Sequence, residues 1–269
     1  MARIKAAFIQ TEPEFGRIEE NVGDAVKKIK AAADEGAALI VLPELFSTGY
    51  QFRSREEALK LAEDARDGYT VGRLFDVARK LELHIVAGFN ERDGKRVYNS
   101  AVLVGPRGVI GVYRKAHLFW NEKKYFAPGN TPFRVYDIGK ARIGMMICFD
   151  WLFPEAARTL ALKGADIICH PSNLVLPYCP EAMITRCLEN RVFAITANRT
   201  GAEERVKGKR LEFIGTSEIV SPGGVILARA SSDRAEVMTA VLDISAARRK
   251  KINPLNDIFK DRRRDLFKV

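Results

Sequence analysis

A short sequence pattern occurs twice in the chain and limits its fold more than any other feature. Residues 35–44 and 163–172 share a glycine, an alanine, an apolar run and a proline in the same order. Each copy follows a helical pattern, and each apolar run is nonpolar on both faces, as in a parallel strand that is covered on two sides. The sequence therefore predicts an α/β protein with two related helix–strand halves, whose strand ends meet at one site.

The region between the two halves has a different pattern. Short strands are predicted at residues 84–90, 98–104 and 109–113, and the turns between them are rich in glycine, aspartate and proline, which is typical of an antiparallel meander. The last strand leads through Lys115 into a long loop, residues 120–131, that contains aromatic side chains and Glu122. Long loops in compact domains are often functional.

A single cysteine ends the apolar run that precedes the second copy of the pattern. Residues 143–147 are predicted to form a buried strand, and a Pro-Glu pair after Trp151 opens an Ala/Leu-rich helical pattern. Cys148 is thus expected on a strand-to-helix turn, where backbone N–H groups can face a developing negative charge. This position makes it a candidate nucleophile, although a buried structural role is commoner for a free cysteine.

A cysteine nucleophile needs a base and a group that stabilises the anion it creates. Histidine is the usual base, and His117 is a candidate because it lies two residues from Lys115. His84 is predicted to begin a strand away from the site, and His170 to be a covered strand-end residue. A buried carboxylate can serve instead, with an ammonium group beside it. Glu44, at the end of a buried strand, and Lys115 supply these two groups.

Composition narrows the class of protein. The chain has 269 residues and a net charge of +10, but acidic residues alternate with basic ones and no nucleic-acid recognition motif is present. No apolar run approaches the roughly 18 residues of a membrane span, and the four cysteines lack the spacing of a disulfide framework or a zinc site. We expect a cytoplasmic protein without metal, organic cofactor, nucleic-acid partner or membrane partner. The scarcity of glutamine beside abundant Lys, Arg and Glu is typical of proteins from hot habitats.

Three segments carry a family resemblance. PELFSTGY at 43–50, YRKAHLF at 113–119 and ICFDWLFPE at 147–155 resemble, in order and spacing, the signature blocks of the nitrilase (carbon–nitrogen hydrolase) superfamily. The likeness extends over essentially the whole chain. It implies one domain over residues 1–269 with a four-layer α-β-β-α sandwich, and pairing of subunits through helices near the site into an eight-layer homodimer or a higher homo-oligomer. The tail from about residue 250 is expected to pack on the body or on a partner subunit.

The same resemblance implies catalytic roles. Glu44 corresponds to the family's catalytic glutamate, Lys115 to its lysine and Cys148 to its nucleophile, while the backbone N–H of Phe149 would assist Lys115 in stabilising the tetrahedral intermediate. Glu122 corresponds to a second glutamate that many members carry after the lysine. The histidine of the lysine block, His117 here, has a structural role in the family, so the resemblance makes it a weaker candidate for the base.

Substrate and pocket are less constrained by the sequence. Four residues that follow a catalytic residue or a strand end are candidate pocket walls: Tyr50, Trp120, Trp151 and Asn173. The resemblance implies hydrolysis of a small molecule, with an aliphatic amide first, a nitrile second and an N-carbamoyl amine third. A catalytically idle binding protein is the alternative from another class, and the intact set of Glu44, Lys115 and Cys148 argues against it. The other three cysteines are expected to be inert: Cys169, Cys179 and Cys187.

Overall fold

Two six-stranded β-sheets, stacked face to face, form the centre of the protein. The structure is a computed structural model that describes residues 2–266. In chain order the strands are β1 (Arg3–Gln10), β2 (Leu39–Val41), β3 (His84–Asp93), β4 (Arg96–Gly105), β5 (Gly108–Arg114), β6 (Val135–Asp137), β7 (Arg142–Met145), β8 (Ile167–Pro171), β9 (Phe193–Ala197), β10 (Ala202–Glu203), β11 (Leu211–Glu212), β12 (Glu218–Val220), β13 (Ile226–Arg229) and β14 (Glu236–Asp243). The helices are α1 (Ile18–Asp34), α2 (Arg55–Lys60), α3 (Tyr69–Leu81), α4 (Glu122–Tyr125), α5 (Pro154–Leu162), α6 (Cys179–Asn190) and α7 (Ile244–Arg248), with short 3-10 turns at Cys148–Leu152 and Arg264–Leu266.

The two sheets have matching topologies. The first has the order β14-β1-β2-β3-β4-β5 and the second the order β13-β12-β9-β8-β7-β6. In each sheet three central strands run parallel, β1-β2-β3 in the first and β7-β8-β9 in the second, and antiparallel strands extend both edges. Strands β10 and β11 form a separate two-stranded ribbon. The predicted antiparallel meander is confirmed as β3-β4-β5.

Alternation along the strands produces four layers. On β1, Phe8 packs into the core between the sheets, whereas Ala7 and Ile9 pack against the helices on the other face. Helices α1 and α3 cover the outer face of the first sheet, and α5 and α6 cover the second. Since neighbouring strand residues point to opposite faces, each central strand is buried on both sides. The predicted α-β-β-α sandwich is confirmed.

The repeated pattern forms the equivalent central strands β2 and β8. Helices α1 and α5 end just before Gly36 and Gly164, which have φ angles of +89° and +90°. Glycine adopts this left-handed conformation at helix C-termini without steric cost. The repeat therefore places the residues after β2, including Glu44, and those after β8, including Asn173, at corresponding positions in the two sheets.

Several elements differ from the prediction for physical reasons. The strand predicted over 143–147 ends at Met145, because the N–H of Ile147 donates to the Asp150 carboxylate instead of a neighbouring strand. The predicted loop 120–131 contains the four-residue helix α4. Strands β6, β10 and β11 and helix α7 were not predicted, since each is too short to show a period in the sequence.

The C-terminal segment contacts the body through Phe259, whose ring lies under the Arg158 guanidinium and the Lys250 ammonium. Apolar side chains at Ile252 and Leu255 stay exposed. The last part of the predicted tail, residues 267–269, lies outside the described residues. Within residues 2–266, no helix has both the length and the apolar character that crossing a membrane requires.

Gly88 on β3 lies against the backbone that follows β2, and a substitution there tests how close the two backbones are. A Cβ atom there would meet the Glu44 Cα at 2.4 Å and the Pro43 carbonyl oxygen at 2.8 Å, both backbone atoms. We expect Gly88→Ala to lower the free energy of unfolding by about 1–3 kcal/mol, since the backbone must move. Gly72→Ala is the control, because Gly72 lies in α3 with open space around it.

Urea denaturation of wild type and both variants measures their free energies of unfolding. Gly72→Ala should raise stability by about 0.5–1 kcal/mol through helix propensity. Wild-type stability in Gly88→Ala would contradict the close approach of these two backbones.

Candidate active site

A buried cluster of charges lies where the two sheets meet. The Lys115 ammonium donates to Glu44 Oε1 at 2.7 Å and to Glu122 Oε1 at 2.8 Å. The three side chains are 0%, 0% and 4% exposed for Lys115, Glu44 and Glu122. Cys148 lies within electrostatic range of all three, since their charges shift the pKa of its thiol. The structure thus brings together the four residues that the sequence analysis proposed as catalytic.

Each of the three charged residues lies at or just beyond the end of a regular element. Glu44 comes after β2, and Leu45 behind it has a φ of +48°, which turns the chain sharply. Lys115 follows β5, where its N–H donates to the Asn99 carbonyl and its own carbonyl accepts from Gly129. Glu122 is the first residue of α4. Side chains at such ends can converge because the strands themselves stay fixed in the sheets.

Cys148 occupies a sharp turn between β7 and α5. Its φ of +41° lies in the left-handed region, which is uncommon for a residue other than glycine and is found where surrounding contacts enforce it. The enforcing group is the fully buried Asp150 carboxylate. It accepts the Ile147 N–H at 2.9 Å and the Tyr113 hydroxyl at 2.7 Å. The turn therefore holds the cysteine at a defined position against the lysine strand.

The two oxygens of Glu44 have different environments. Oε1 accepts from Lys115 and from Asn99 Nδ2, the latter at 2.6 Å. Oε2 is buried and has no hydrogen-bond partner among residues 2–266. A buried acceptor without a partner is costly, and it is an obvious place for a transferred proton. Glu44 Oε2 can therefore accept the proton of the neighbouring thiol.

Burial and charge set the protonation of the cluster. Burial, together with the Glu44 charge, raises the pKa of the Cys148 thiol well above its usual value, although Lys115 opposes this. Burial lowers the pKa of Lys115, but the carboxylates of Glu122 and Glu44 outweigh burial and raise it overall. Burial also raises the pKa of Glu122 to about 6, against the opposing effect of Lys115. At neutral pH the site thus holds a thiol and an ammonium group, and the thiol requires a base.

Cys148 lines a pocket with about 240 Å³ of empty space, a volume that includes the solvent at its open side. Its walls are mostly apolar: Phe119, Cys148, Phe149, Trp151, Asn173, Leu174, Val175 and Leu176. Two of the four predicted pocket walls, Trp151 and Asn173, therefore line it, together with Phe149, whose backbone N–H is expected to stabilise the intermediate. The other two, Tyr50 and Trp120, line an adjoining cleft together with Glu122.

Tyr50 also takes part in the hydrogen bonds of the cluster. Its hydroxyl donates to Glu122 Oε1 at 2.7 Å. Its backbone N–H and that of Gln51 donate to the Glu203 carboxylate, at 3.1 Å and 2.6 Å. Trp120, by contrast, is 53% exposed at the rim of the cleft.

The hydrogen bonds of His117 and His170 go to groups other than the Cys148 thiol. His117 pairs through Nδ1 with Asp150 Oδ1 at 2.7 Å and stacks on Phe153. His170 is buried, and its Nε2 lies 2.9 Å from the Cys148 carbonyl oxygen. His84 begins β3, as predicted. These contacts favour Glu44 over histidine as the base. Cys169, Cys179 and Cys187 are all free and buried.

Sequence reasoning missed three residues that organise the site. Asn99 holds Glu44, Asp150 holds the cysteine turn, and Glu203 holds the backbone at Tyr50. A polar residue inside the apolar run of β4 was an available signal for Asn99. The sequence contains no comparable signal for Glu203, which lies in a polar loop and is brought to the site by the fold.

Comparison with known proteins finds related sequences and a similar fold. A family model for carbon-nitrogen hydrolase matches residues 5–251. The chain is 52% identical to a nitrilase from Pyrococcus abyssi, covering 98% of this chain and 99% of that protein. It is 34% identical to an N-carbamoylputrescine amidase from Arabidopsis thaliana, covering 94% and 90%. The crystal structure of a carbon-nitrogen hydrolase from Helicobacter pylori superposes with a TM-score of 0.88 at 27% identity, covering 98% and 97%.

The raised pKa of Glu122 predicts a pH-dependent stability. Its value of about 6 exceeds the ordinary 4.5, so the folded protein binds this proton more tightly than the unfolded chain. The resulting stabilisation is present below pH 4.5 and is lost as the pH rises through 6. In Glu122→Gln this dependence disappears, so the stability of the variant relative to wild type should rise by about 1–2 kcal/mol between pH 4 and pH 7.5.

Chemical denaturation at the two pH values measures this difference, and Glu19→Gln on the exposed face of α1 is the control that should follow wild type. A difference between Glu122→Gln and wild type that is independent of pH, or that falls with pH, would contradict the prediction.

Proposed function

The chain belongs to the carbon–nitrogen hydrolase family, and on that premise we propose that it is a cysteine-dependent hydrolase of non-peptide carbon–nitrogen bonds in small molecules. The observation that carries the proposal is the buried contact of Glu44 and Lys115 near Cys148, a residue that lines a pocket. This arrangement supplies a base, a cation and a nucleophile within one enclosed site. Those are the groups that acyl transfer through a thiol requires.

The first half of the proposed reaction forms an acyl-enzyme. Glu44 Oε2 accepts the Cys148 proton as the sulfur attacks the substrate carbonyl carbon. Lys115 uses two of its three N–H donors on the carboxylates. Its third donor, together with the backbone N–H of Phe149 in the first turn after the cysteine, stabilises the oxyanion. Glu44 then passes its proton to the nitrogen, the carbon–nitrogen bond breaks, and ammonia leaves a thioester behind.

The second half restores the enzyme. A water molecule enters, Glu44 accepts one of its protons, and the oxygen attacks the thioester carbon. The tetrahedral intermediate collapses with the sulfur as leaving group, and the proton on Glu44 returns to Cys148. Glu122 supports both halves by holding Lys115 charged and in position, and Tyr50 holds Glu122.

We propose small aliphatic amides as the substrate class. The mostly apolar lining of the pocket supports an aliphatic acyl group. Nitriles are the second candidate, because the Pyrococcus abyssi relative is named a nitrilase. N-carbamoyl amines are the third, because the Arabidopsis relative is named an N-carbamoylputrescine amidase. All three begin with attack of the same thiol.

Replacement of the nucleophile tests the proposed mechanism. Wild type incubated with short amides, nitriles and carbamoyl amines should release ammonia and show an acyl adduct by intact-protein mass spectrometry. Cys148→Ala should lose more than about 10³-fold in rate and form no adduct, because the covalent step is removed. Cys187→Ala, which changes a buried cysteine in α6, should keep both signals. Equal ammonia release by Cys148→Ala and wild type would refute the mechanism.

We further propose that residues 1–269 act as one hydrolase domain and that two copies pair through α5 and α6. Leu162, Leu188 and Tyr178, on or beside these helices, are 40%, 51% and 65% exposed, which supports an apolar contact there. Light scattering on a sizing column should give the mass of a dimer or a larger even-numbered oligomer. Leu188→Glu should shift the mass toward the monomer, whereas Val241→Glu, on an exposed position of β14, should not. A monomeric wild type would contradict the pairing.

A cytoplasmic location and adaptation to heat are also part of the proposal. The four cysteines are free, which supports a reducing compartment. Buried or half-buried ion pairs such as Arg114–Glu91 support stability at high temperature, because the desolvation penalty of ions falls on heating.

A further inference from the structure

Asn173 carries the one polar side chain among the non-catalytic walls of the pocket. We propose that its Oδ1 atom accepts an N–H of the substrate's NH₂ group, and that the site thereby favours primary amides over nitriles. This inference rests on the proposed hydrolase function and assigns one residue to the choice between its two leading substrate classes.

The orientation of the Asn173 amide is fixed by its neighbour. The residue follows β8, is 2% exposed and lines the pocket beside Cys148. Its Nδ2 donates to the main-chain carbonyl of Glu44 at 2.9 Å. A carbonyl oxygen can only accept, so the nitrogen of the side-chain amide must face Glu44 and the oxygen must face away from it. The backbone N–H of Asn173 lowers the pKa of the Cys148 thiol, and both residues line the same pocket, so Asn173 is close to the reacting atoms.

The Oδ1 atom has no hydrogen-bond partner within residues 2–266, although it is buried. A buried acceptor in this state is unfavourable, and a donor on a ligand can satisfy it. Two other buried acceptors of the site also have no partner within residues 2–266. Glu44 Oε2 is required for the proton of the thiol, and Asn99 Oδ1 belongs to a residue that does not line the pocket. Asn173 Oδ1 is therefore the acceptor available to the substrate before the reaction begins.

The hydrogen-bonding groups of the site match those of a primary amide. The carbonyl oxygen of an amide accepts from Lys115 and from the Phe149 N–H, and its NH₂ group donates to Asn173. A nitrile nitrogen carries a lone pair and no hydrogen, so it offers nothing to an acceptor. It gains its first N–H only after the sulfur has added and Glu44 has delivered the thiol proton to nitrogen. Asn173 thus assists an amide before the first covalent step and a nitrile only after it.

The experiment compares substrates that share one acyl chain. Butanamide has an NH₂ group, whereas butanenitrile and methyl butanoate have no N–H, and kcat/KM is measured for each with wild type and Asn173→Leu. Leucine keeps the approximate volume and removes the acceptor. We expect kcat/KM for the amide to fall at least about tenfold more than for the nitrile or the ester, as for an unpaired hydrogen bond of about 1–3 kcal/mol.

Asn173→Asp is the matched control, because it keeps an oxygen acceptor and loses the N–H that holds the Glu44 carbonyl. It should reduce turnover of all three substrates while changing the amide-to-ester ratio by less than about threefold, since positioning of Glu44 serves every substrate. A purely structural Asn173 would make the ratio equally insensitive in both variants.

The outcomes separate the two levels of the proposal. A common loss on all three substrates in Asn173→Leu overturns the inference and leaves the thiol mechanism standing. A wild type that prefers butanenitrile to butanamide also overturns it. If wild type turns over no amide, nitrile or ester and forms no adduct at Cys148, the proposed function itself fails, and the role of Asn173 fails with it.

Discussion

The active site depends on one ammonium group that is held between two carboxylates and away from water. Isolated in the interior, Lys115 would be several kcal/mol too costly, so Glu44 and Glu122 must both be present and correctly placed. Two carboxylates and one ammonium leave an excess negative charge beside Cys148. Burial and this excess charge together raise the pKa of the thiol, so the proposed mechanism needs Glu44 to remove the proton. The cluster therefore combines a carboxylate base with an ammonium group that balances part of its charge. It differs from sites in which a neighbouring cation ionises the thiol in advance.

The fold must deliver these groups from distant parts of the chain, and Asp150 joins the two parts. Its carboxylate accepts from Tyr113 and His117, on either side of Lys115, and from Ile147, just before the nucleophile. One buried side chain thus connects the lysine segment of the first sheet with the cysteine turn of the second. Such a fully satisfied polar centre can specify a single arrangement of its neighbours, because each alternative leaves a buried donor unpaired.

Much of this could be predicted from the sequence, since Glu44 and Cys148 each terminate an apolar run and Lys115 follows a strand of the meander. The repeated pattern also predicted that the residues after β2 and β8 would meet. Local sequence patterns do not show which distant segments come into contact, however. The polar Asn99 stands out in the apolar run of β4, but the run does not show that its partner is Glu44, which follows β2 in the same sheet. Glu203 reaches the backbone of the Tyr50 loop only through the fold. The short strand β6 and the four-residue helix α4 likewise owe their form to tertiary contacts.

The position of β14 has a consequence for how the chain is made. This strand pairs with β1 along its whole length, so residues near the end of the chain complete the sheet that the first residues begin. During synthesis, the backbone N–H and C=O groups of β1 that later pair with β14 stay unpaired while more than two hundred residues are added. The growing chain therefore has an unpaired edge at β1 until β14 has been synthesised. The sequence of β1 must therefore suit the period before β14 is made as well as the finished fold. A chain that stops before β14 would keep this edge unpaired and be prone to aggregation.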